Sequence, residues 1–343
     1  MQSNQIAMTV VLFFVLQTLL AQERVIESGE HATYAWVMPR TEYGQPDLQG
    51  EWWFGSRTPL ERPTALGDKR VYSRQEASKL EARMGDRNRA LAAPLDPMRG
   101  APERGAVIRQ EADDNFLSHY QEPLMVPVFG EYRTSIISSP ADGRISHTPG
   151  FLDFYAQRKR NGLTPTDGPE GQPLSGRCLG FGSALPSLTP IMMNPNMQIV
   201  QTEDYVLIMT EMSHDARIVR LGKDHSTHGF ATWMGDSVGY WDEDTLVVHS
   251  KSFRPEQSAM RGFKISDEFE VVERYTRTGE DLIHFAFEVI DPYALTQPVS
   301  GERMLTKNSK SDRIYEFACH EGNYSLPNIL RGARQQERDA VDR

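Results

Sequence analysis

The stretch from Met197 to Phe253 carries the densest strand pattern in the chain, and it constrains the fold more than any other feature. Residues 198–202 and 205–212 flank the polar pair Glu203 and Asp204, which predicts a hairpin. Residues 240–253 predict a second hairpin that turns at 242–244. The 205–212 segment is apolar on both of its faces, and this pattern is typical of a central strand or a barrel wall.

A third hairpin is predicted over residues 269–290, with its turn at 278–281. If residues 279–280 form the loop, Tyr275 lies opposite His284. A slip of one residue would reverse the face of every side chain, so the register matters for function. The predicted register places four polar side chains on one face, either a barrel lumen or a wet outer surface: Glu273, Tyr275, His284 and Glu288.

Further strands are predicted at residues 131–138, 301–307 and 313–320, for a total of about eight to ten. Helices are few. A capping box of Ser73 and Glu76 opens one that runs to about residue 91. Two others are predicted over residues 151–160 and from residue 325 to about 338. The pattern predicts a mainly β fold, an antiparallel β-barrel or sandwich that is lipocalin-like, with a few peripheral helices.

The first residues predict export. Residues 6–20 are nearly all apolar and Ala21 follows them, which fits a signal peptide because the run is shorter than the ~20 residues of a membrane span. The alternative is a short uncleaved anchor. We expect a periplasmic or secreted protein without a later membrane span. Its expected parts are a signal peptide (1–21), an N-terminal arm (22–45), a single β-rich domain (46–336) and a charged tail (337–343).

Charge and missing motifs exclude several function classes. The formal net charge is −10, and no basic stripe accompanies aromatic residues, so we expect no nucleic-acid partner. The chain contains no Gly-x-Gly-x-x-Gly, P-loop, Gly-x-Ser-x-Gly, His-Glu-x-x-His or Cys-x-x-Cys motif. We therefore expect no nucleotide cofactor and no serine-hydrolase or zinc-protease site. Oligomeric state is not predicted.

Cys178 and Cys319 are the two cysteines of the chain. In an oxidising compartment two cysteines favour one disulfide, which would close a long loop and stabilise the fold by ~4 kcal/mol. The alternative is a pair of separate buried thiols.

Two short polar clusters are candidates for catalysis. His214, Asp215 and Arg217 interrupt an apolar strand, where His214 is a possible general base and Arg217 a possible holder of negative charge. The alternative is a polar cluster at a sheet edge, in which Asp215 and Arg217 pair across a bulge. His320 and Glu321 lie where the predicted 313–320 strand ends, and they could form an acid/base pair or act as metal ligands. The alternative is a strand end that is held by a disulfide and followed by a turn.

Other residues are weaker candidates. His225 and His228 form a His-x-x-His pair, but a loop pair without further ligands is more typical of a solvated loop, so no metal site is predicted. Asp236 is a candidate partner for a catalytic histidine. A ligand pocket or ordinary core packing explains the following aromatic and imidazole side chains: Trp233, Tyr240, Trp241, Tyr275 and His284.

Nine motifs in order resemble a large group of exported, mostly uncharacterised bacterial proteins. The resemblance covers roughly residues 46–336. It implies export, a single β-rich unit, and one constellation around His214, Asp236 and His320, but it implies no particular activity; the loop of His225 and His228 departs from the group's pattern. The motifs are 46–52 (PDLQGEW), 133–137 (RTSII), 140–144 (PADGR), 177–179 (RCL), 198–202 (QIVQT), 214–218 (HDARI), 233–237 (WMGDS), 244–248 (DTLVV) and 315–324 (YEFACHEGNY).

These observations lead to two hypotheses of function. The first is an exported enzyme that acts on a small hydrophobic or polycyclic molecule by cofactor-independent acid/base chemistry, as an isomerase, lyase, cyclase or hydrolase. His214 or His320 would transfer the proton, and Arg217 would stabilise negative charge. Asp215, Asp236 or Glu321 would orient the histidine. The alternative is a lipocalin-like protein that binds such a molecule without catalysis.

Overall fold

Twelve strands lie in the part of the chain that the computed structural model describes, namely residues 36–91, 98, 100, 124–180, 185–189, 195–258, 262–308 and 313–341. The predicted signal peptide and most of the predicted N-terminal arm fall outside these residues. The strands are β1 (Gly50–Trp53), β2 (Val71–Tyr72), β3 (Tyr132–Arg133), β4 (Ile137–Ser139), β5 (Asn196–Gln201), β6 (Tyr205–Thr210), β7 (Ala216–Leu221), β8 (Asp236–Asp242), β9 (Thr245–Lys251), β10 (Glu270–Gly279), β11 (Leu282–Ile290) and β12 (Val299–Lys307).

Nine of these strands close into a barrel, because β1 pairs with β5 on one side and with β12 on the other. Trp52 of β1 is fully buried inside, and its indole N–H donates to the carbonyl oxygen of Leu48 at 2.9 Å. The predicted mainly β barrel is confirmed. One pair differs from an all-antiparallel sheet: β7 and β8 run parallel, and residues 222–235 connect them.

Alternation of buried and exposed residues is clearest in the long hairpin of β10 and β11. Phe285 and Phe287 are buried inside, where each contributes roughly 1.5–3 kcal/mol by leaving water. The predicted register of this hairpin is wrong by one residue, since His284 lies opposite Thr276 and not Tyr275. The cause is an irregularity in pairing between Arg277 and Gly279, of the kind a β-bulge produces.

The register correction separates the four polar residues that were predicted to share a face. Glu273 and Tyr275 are fully buried inside the barrel. His284 and Glu288 alternate with buried positions and lie on the outer face.

Strand β12 pairs with two different strands along one of its edges. Its first residues pair with β4, and its last residues pair with β1. Gly301 is required here, because a Cβ at this position would lie 2.4 Å from Cζ of Phe287.

One end of the barrel is covered by the segment just before β1. Leu48 is fully buried there, and its amide donates to Oε1 of Gln201 at 2.6 Å. Arg277 donates to the carbonyl oxygen of Asp47 at 2.8 Å. Strands β7 and β8 begin at the other end, which we call the β7 end.

Three α-helices occur in the described residues: α1 (Arg74–Leu91), α2 (Phe154–Arg160) and α3 (Ser325–Val341). The predicted capping box is confirmed, since the Ser73 amide donates to Glu76 and the Glu76 amide donates to Oγ of Ser73. None of the described helices has the length and apolar character that crossing a bilayer requires.

The predicted disulfide is confirmed: Cys178 and Cys319 are bonded, with their Cα atoms 5.6 Å apart. The predicted strand over residues 313–320 is wrong, because the described residues 313–318 form no strand and a turn follows them. The disulfide therefore ties a non-regular segment, and not a strand end, to the loop before β5. The described residues from Met38 onward belong to one compact unit.

Candidate functional site

A buried polar network lies in the barrel lumen. Arg217 of β7 points inward and forms an ion pair with Glu273 of β10, with Nη2 to Oε1 at 2.7 Å. The same guanidinium donates to the Ser250 hydroxyl at 3.1 Å and to Tyr275 Oη at 3.2 Å. Tyr275 donates to Glu273 at 2.8 Å, and Ser237 bonds Ser250 at 2.7 Å. Arg217 thus pairs across the lumen, and not with Asp215 as one sequence interpretation proposed.

The lumen network is almost sealed from water. Burial by itself would lower the pKa of Arg217, but the Glu273 carboxylate more than offsets this effect and raises that pKa. Burial, reinforced by Glu273, raises the pKa of Tyr275 well above its ordinary value. The guanidinium therefore stays charged and the phenol stays protonated at neutral pH, so the network is a fixed polar element of the core.

Asp215 lies at the β7 end of the barrel. Its carbonyl oxygen accepts from the Thr210 amide at 2.9 Å, which continues the pairing of β6 with β7. Ala216 is exposed and Arg217 is buried, so strand alternation puts Asp215 on the inner side with Arg217. Burial raises the pKa of Asp215 to about 7, and no neighbouring charge contributes to that shift.

The backbone that delivers Asp215 is strained. Ser213 and His214 have φ values of 62° and 49°, in the left-handed region that non-glycine residues rarely adopt. Two such residues in succession cost free energy, and strain of this kind concentrates at functional sites. It also turns the chain sharply enough for Asp215 to enter β7 with its side chain inward.

His214 faces the disulfide-bound segment. Its Nε2 accepts a hydrogen bond from the Phe317 amide at 2.9 Å, so this nitrogen carries no proton. Phe317 packs against the barrel core, and Cys319 follows two residues later. His320, next to Cys319, is exposed.

The predicted constellation of His214, Asp236 and His320 is only partly assembled. His214 contacts the 313–324 segment that contains His320 and the exposed Glu321. Asp236 bonds a different set of side chains, and no hydrogen bond among the described residues joins it to either histidine.

The predicted ligand-binding residues are dispersed. Trp233 lies just before β8 at the β7 end, with the Arg254 guanidinium 4.3 Å above its ring. Trp241 packs against the core near the opposite end of the same strand, and Tyr240 is exposed on the outer face. Tyr275 lies in the lumen and His284 outside it, where His284 bonds Glu302 at 2.9 Å.

A row of hydrogen bonds crosses the outer face of β8, β9 and β10, and we name it the histidine relay: Asp236, His225, His249 and Glu270. The Nδ1 atom of His225 lies 2.8 Å from Asp236, and its Nε2 lies 2.9 Å from Nδ1 of His249. The Nε2 atom of His249 lies 3.0 Å from Glu270. All four ring nitrogens are engaged, so the relay offers no free imidazole base.

Asp236 anchors this relay. Burial opposes ionisation, but hydrogen bonds from the Ser226 amide and His225, with the charge of Arg220, lower the pKa of Asp236. Within the described residues, no group of three or more His, Cys, Asp or Glu side chains is arranged to hold a metal ion.

Sequence reasoning missed His249, Glu270 and the role of His225. Strand alternation offered a signal, since His249 is the one imidazole in β9 and it alternates with inward Val248 and Ser250. The antiparallel pairing of β9 and β10 brings Glu270 to His249, and His225 reaches it from the connection between the parallel strands β7 and β8.

No protein-family model matches the chain, and a search of curated proteins finds no match either.

Proposed function

We propose that this protein is an exported enzyme that moves a proton on a small, mainly apolar molecule, with Asp215 as the proton-transfer group at the β7 end of the barrel. The observation that carries the proposal is the Asp215 carboxyl, whose pKa burial raises to about 7. A general acid or base works best when its pKa lies near the working pH. A carboxyl shifted by desolvation is therefore a better candidate than an exposed one.

The neighbouring residues support this assignment. Nε2 of His214 already accepts a hydrogen bond from the Phe317 amide. Asp215 is therefore the better placed group to accept a proton from a substrate. Apolar side chains lie near this end of the barrel. Phe317 and Met234 are two of them, and both pack against the barrel core. Arg217 forms an ion pair with Glu273. It is therefore a fixed polar group of the lumen and is not free to stabilise negative charge on a substrate.

The proposed step is a plain proton transfer. The Asp215 carboxylate takes a proton from an acidic carbon of the substrate, and the electron pair of that C–H bond moves into the substrate. The protonated carboxyl then returns the proton at another carbon, which is isomerisation. Alternatively, the electron pair expels a leaving group, which takes the proton from the carboxyl as it departs, and this is elimination. Each turnover leaves Asp215 ionised again.

Export is part of the proposal. A disulfide is rare in the cytosol and common in the periplasm and outside the cell, and the Cys178–Cys319 bond supports that location.

A bicyclic ketone provides the test. We expect the protein to accelerate deuterium uptake at the acidic carbons of 2-tetralone, followed by ¹H NMR in D₂O, with a rate that rises with pH and has its midpoint near 7. Asp215→Asn should lower this rate by on the order of 100-fold. Asp204→Asn, in the exposed β5–β6 turn, is the matched control and should keep the full rate.

The closed barrel also supports the second hypothesis, a carrier that binds a small molecule without changing it. The same experiment separates the two hypotheses. Saturable line broadening of 2-tetralone without any Asp215-dependent exchange would support the carrier and refute the enzyme.

A further inference from the structure

A small cavity lies between β12, β3 and the chain that follows β1. It has a volume of about 10 Å³, enough for one occupant the size of a water molecule. Its lining includes Arg303, Arg133, Glu302, Ser56 and Thr58.

Arg303 is the unusual member of this group. Its side chain is 3% exposed, and Nη1 donates to the carbonyl oxygen of Phe54 at 2.7 Å. Its Nε and Nη2 are sealed from solvent and have no hydrogen-bond partner among the described residues. Burial lowers the pKa of Arg303 to about 9, so the group is still a cation at neutral pH. A buried cation with two unused donors is costly unless something accepts from it.

The other polar groups around the cavity add donors. Nε of Arg133 is also buried without a partner in the described part of the chain. The Ser56 hydroxyl donates to Oγ1 of Thr58 at 3.1 Å, which leaves the Thr58 hydroxyl hydrogen free to point elsewhere.

Each carboxylate oxygen of Glu302 already has a partner. One lies 3.1 Å from Arg133 and the other 2.9 Å from Nε2 of His284. Arg133 also pairs with Glu131 at 3.1 Å, so Arg303 is the lining cation for which the described residues provide no carboxylate partner.

We propose that this cavity is a binding site for a small monovalent anion, of which chloride is the test case. A halide would accept from the two unused donors of Arg303 and would also neutralise its buried charge, which a water molecule would leave uncompensated. The volume restricts the occupant to a monatomic anion. A second cavity of about 10 Å³ shares Arg133 and Glu302 and is also lined by Arg62 and Arg70, which makes the surrounding potential more positive.

The site would act on stability, because an anion that binds the folded chain alone shifts the unfolding equilibrium. We expect the Tm to rise saturably by a few degrees when chloride replaces gluconate at constant ionic strength. Bromide in place of chloride should give an anomalous diffraction peak within hydrogen-bond distance of the Arg303 guanidinium. Equal Tm values in the two salts, together with no bromide peak, would overturn the proposal and assign the cavity to water.

Variants locate the effect. Arg303→Met should abolish the difference between chloride and gluconate, and Thr58→Val should weaken it while keeping the buried guanidinium. Arg274→Met, on the exposed face of β10, is the control and should keep the full difference. If Arg303→Met does not fold, Thr58→Val and the bromide measurement on the unmodified chain still decide. A chloride effect that survives both variants unchanged would place the anion elsewhere.

Discussion

Nε2 of His225 lies 2.9 Å from Nδ1 of His249, and this contact joins the carboxylates of Asp236 and Glu270 through two imidazole rings. Each of the three hydrogen bonds in the row needs one hydrogen. With both carboxylates ionised, the four ring nitrogens must carry three hydrogens, whereas two neutral imidazoles carry only two. The histidine relay is complete only when the two rings share one positive charge.

Ring-nitrogen NMR tests this hydrogen count. In histidine-¹⁵N-labelled protein we expect three protonated ring nitrogens in total on His225 and His249 when the relay is complete. The exposed His228, which stacks on Phe230, provides the signals of an imidazole outside the relay. A total of two protonated nitrogens would show that the relay lacks one of its hydrogen bonds.

The barrel itself was predictable from the sequence, and the register was not. Alternation within each strand decides which residues point inward, and it follows directly from the apolar pattern. The pairing irregularity between Arg277 and Gly279 cannot be read from the apolar pattern, because the loop residues are polar in either register. One residue of difference then separated His284, on the outer face, from Tyr275 in the lumen.

The candidate sites were predictable only in part, for a reason of topology. Sequence neighbours such as His214, Asp215 and Arg217 form a visible cluster, but strand alternation sends Asp215 and Arg217 inward while Ala216 faces water. The partners that matter, Glu273 for Arg217 and His249 for His225, come from other strands. Their proximity depends on strand order, and the parallel β7–β8 pair departs from the hairpin order.

Asp215 should make the fold less stable as the pH rises. Its pKa is about 7 in the folded chain against an ordinary value near 3.9, so the folded state retains a proton that the unfolded state has released between these values. Stability is then lost from about pH 4 up to about pH 7 and stays low above that. After allowance for partial exposure, we expect a contribution of about 1–2 kcal/mol.

Urea unfolding of Asp215→Asn measures this effect. The variant should be more stable than the original chain at about pH 8, and the difference should vanish near pH 4. Asp204→Asn, from the exposed turn, should follow the original chain at both pH values. A gain of equal size at both values would mean that ionisation of Asp215 is not the cause.

The Arg217–Glu273 pair should tolerate joint replacement better than the loss of either member. Arg217→Met leaves a carboxylate buried without its cation, and Glu273→Leu leaves a buried guanidinium, so each should cost about 3–5 kcal/mol. The double variant removes both charges and should cost clearly less than the sum. Urea titration of the original chain, the two single variants and the double variant gives the unfolding free energies of a double-mutant cycle. Additive costs would mean that the two charges act independently.

The Cys178–Cys319 bond should act on one segment more than on the barrel. It closes a loop of 141 residues, for which loss of chain entropy alone predicts a global contribution of about 4–5 kcal/mol. The described residues 313–324 contain no strand, however, and one of their few long-range hydrogen bonds is that of the Phe317 amide to His214. Such a segment opens locally before the barrel does.

Replacing both cysteines by serine should therefore speed hydrogen exchange at residues 313–324, the Phe317 amide included, while amides of β10 and β11 keep their protection. The fall in global unfolding free energy should be well below the 4–5 kcal/mol of the chain-entropy estimate, because the freed segment detaches without the barrel. Reduction of the unmodified chain should reproduce the exchange pattern. If β10 and β11 lose protection in step with residues 313–324, the disulfide stabilises the barrel directly and the segment is part of its cooperative core.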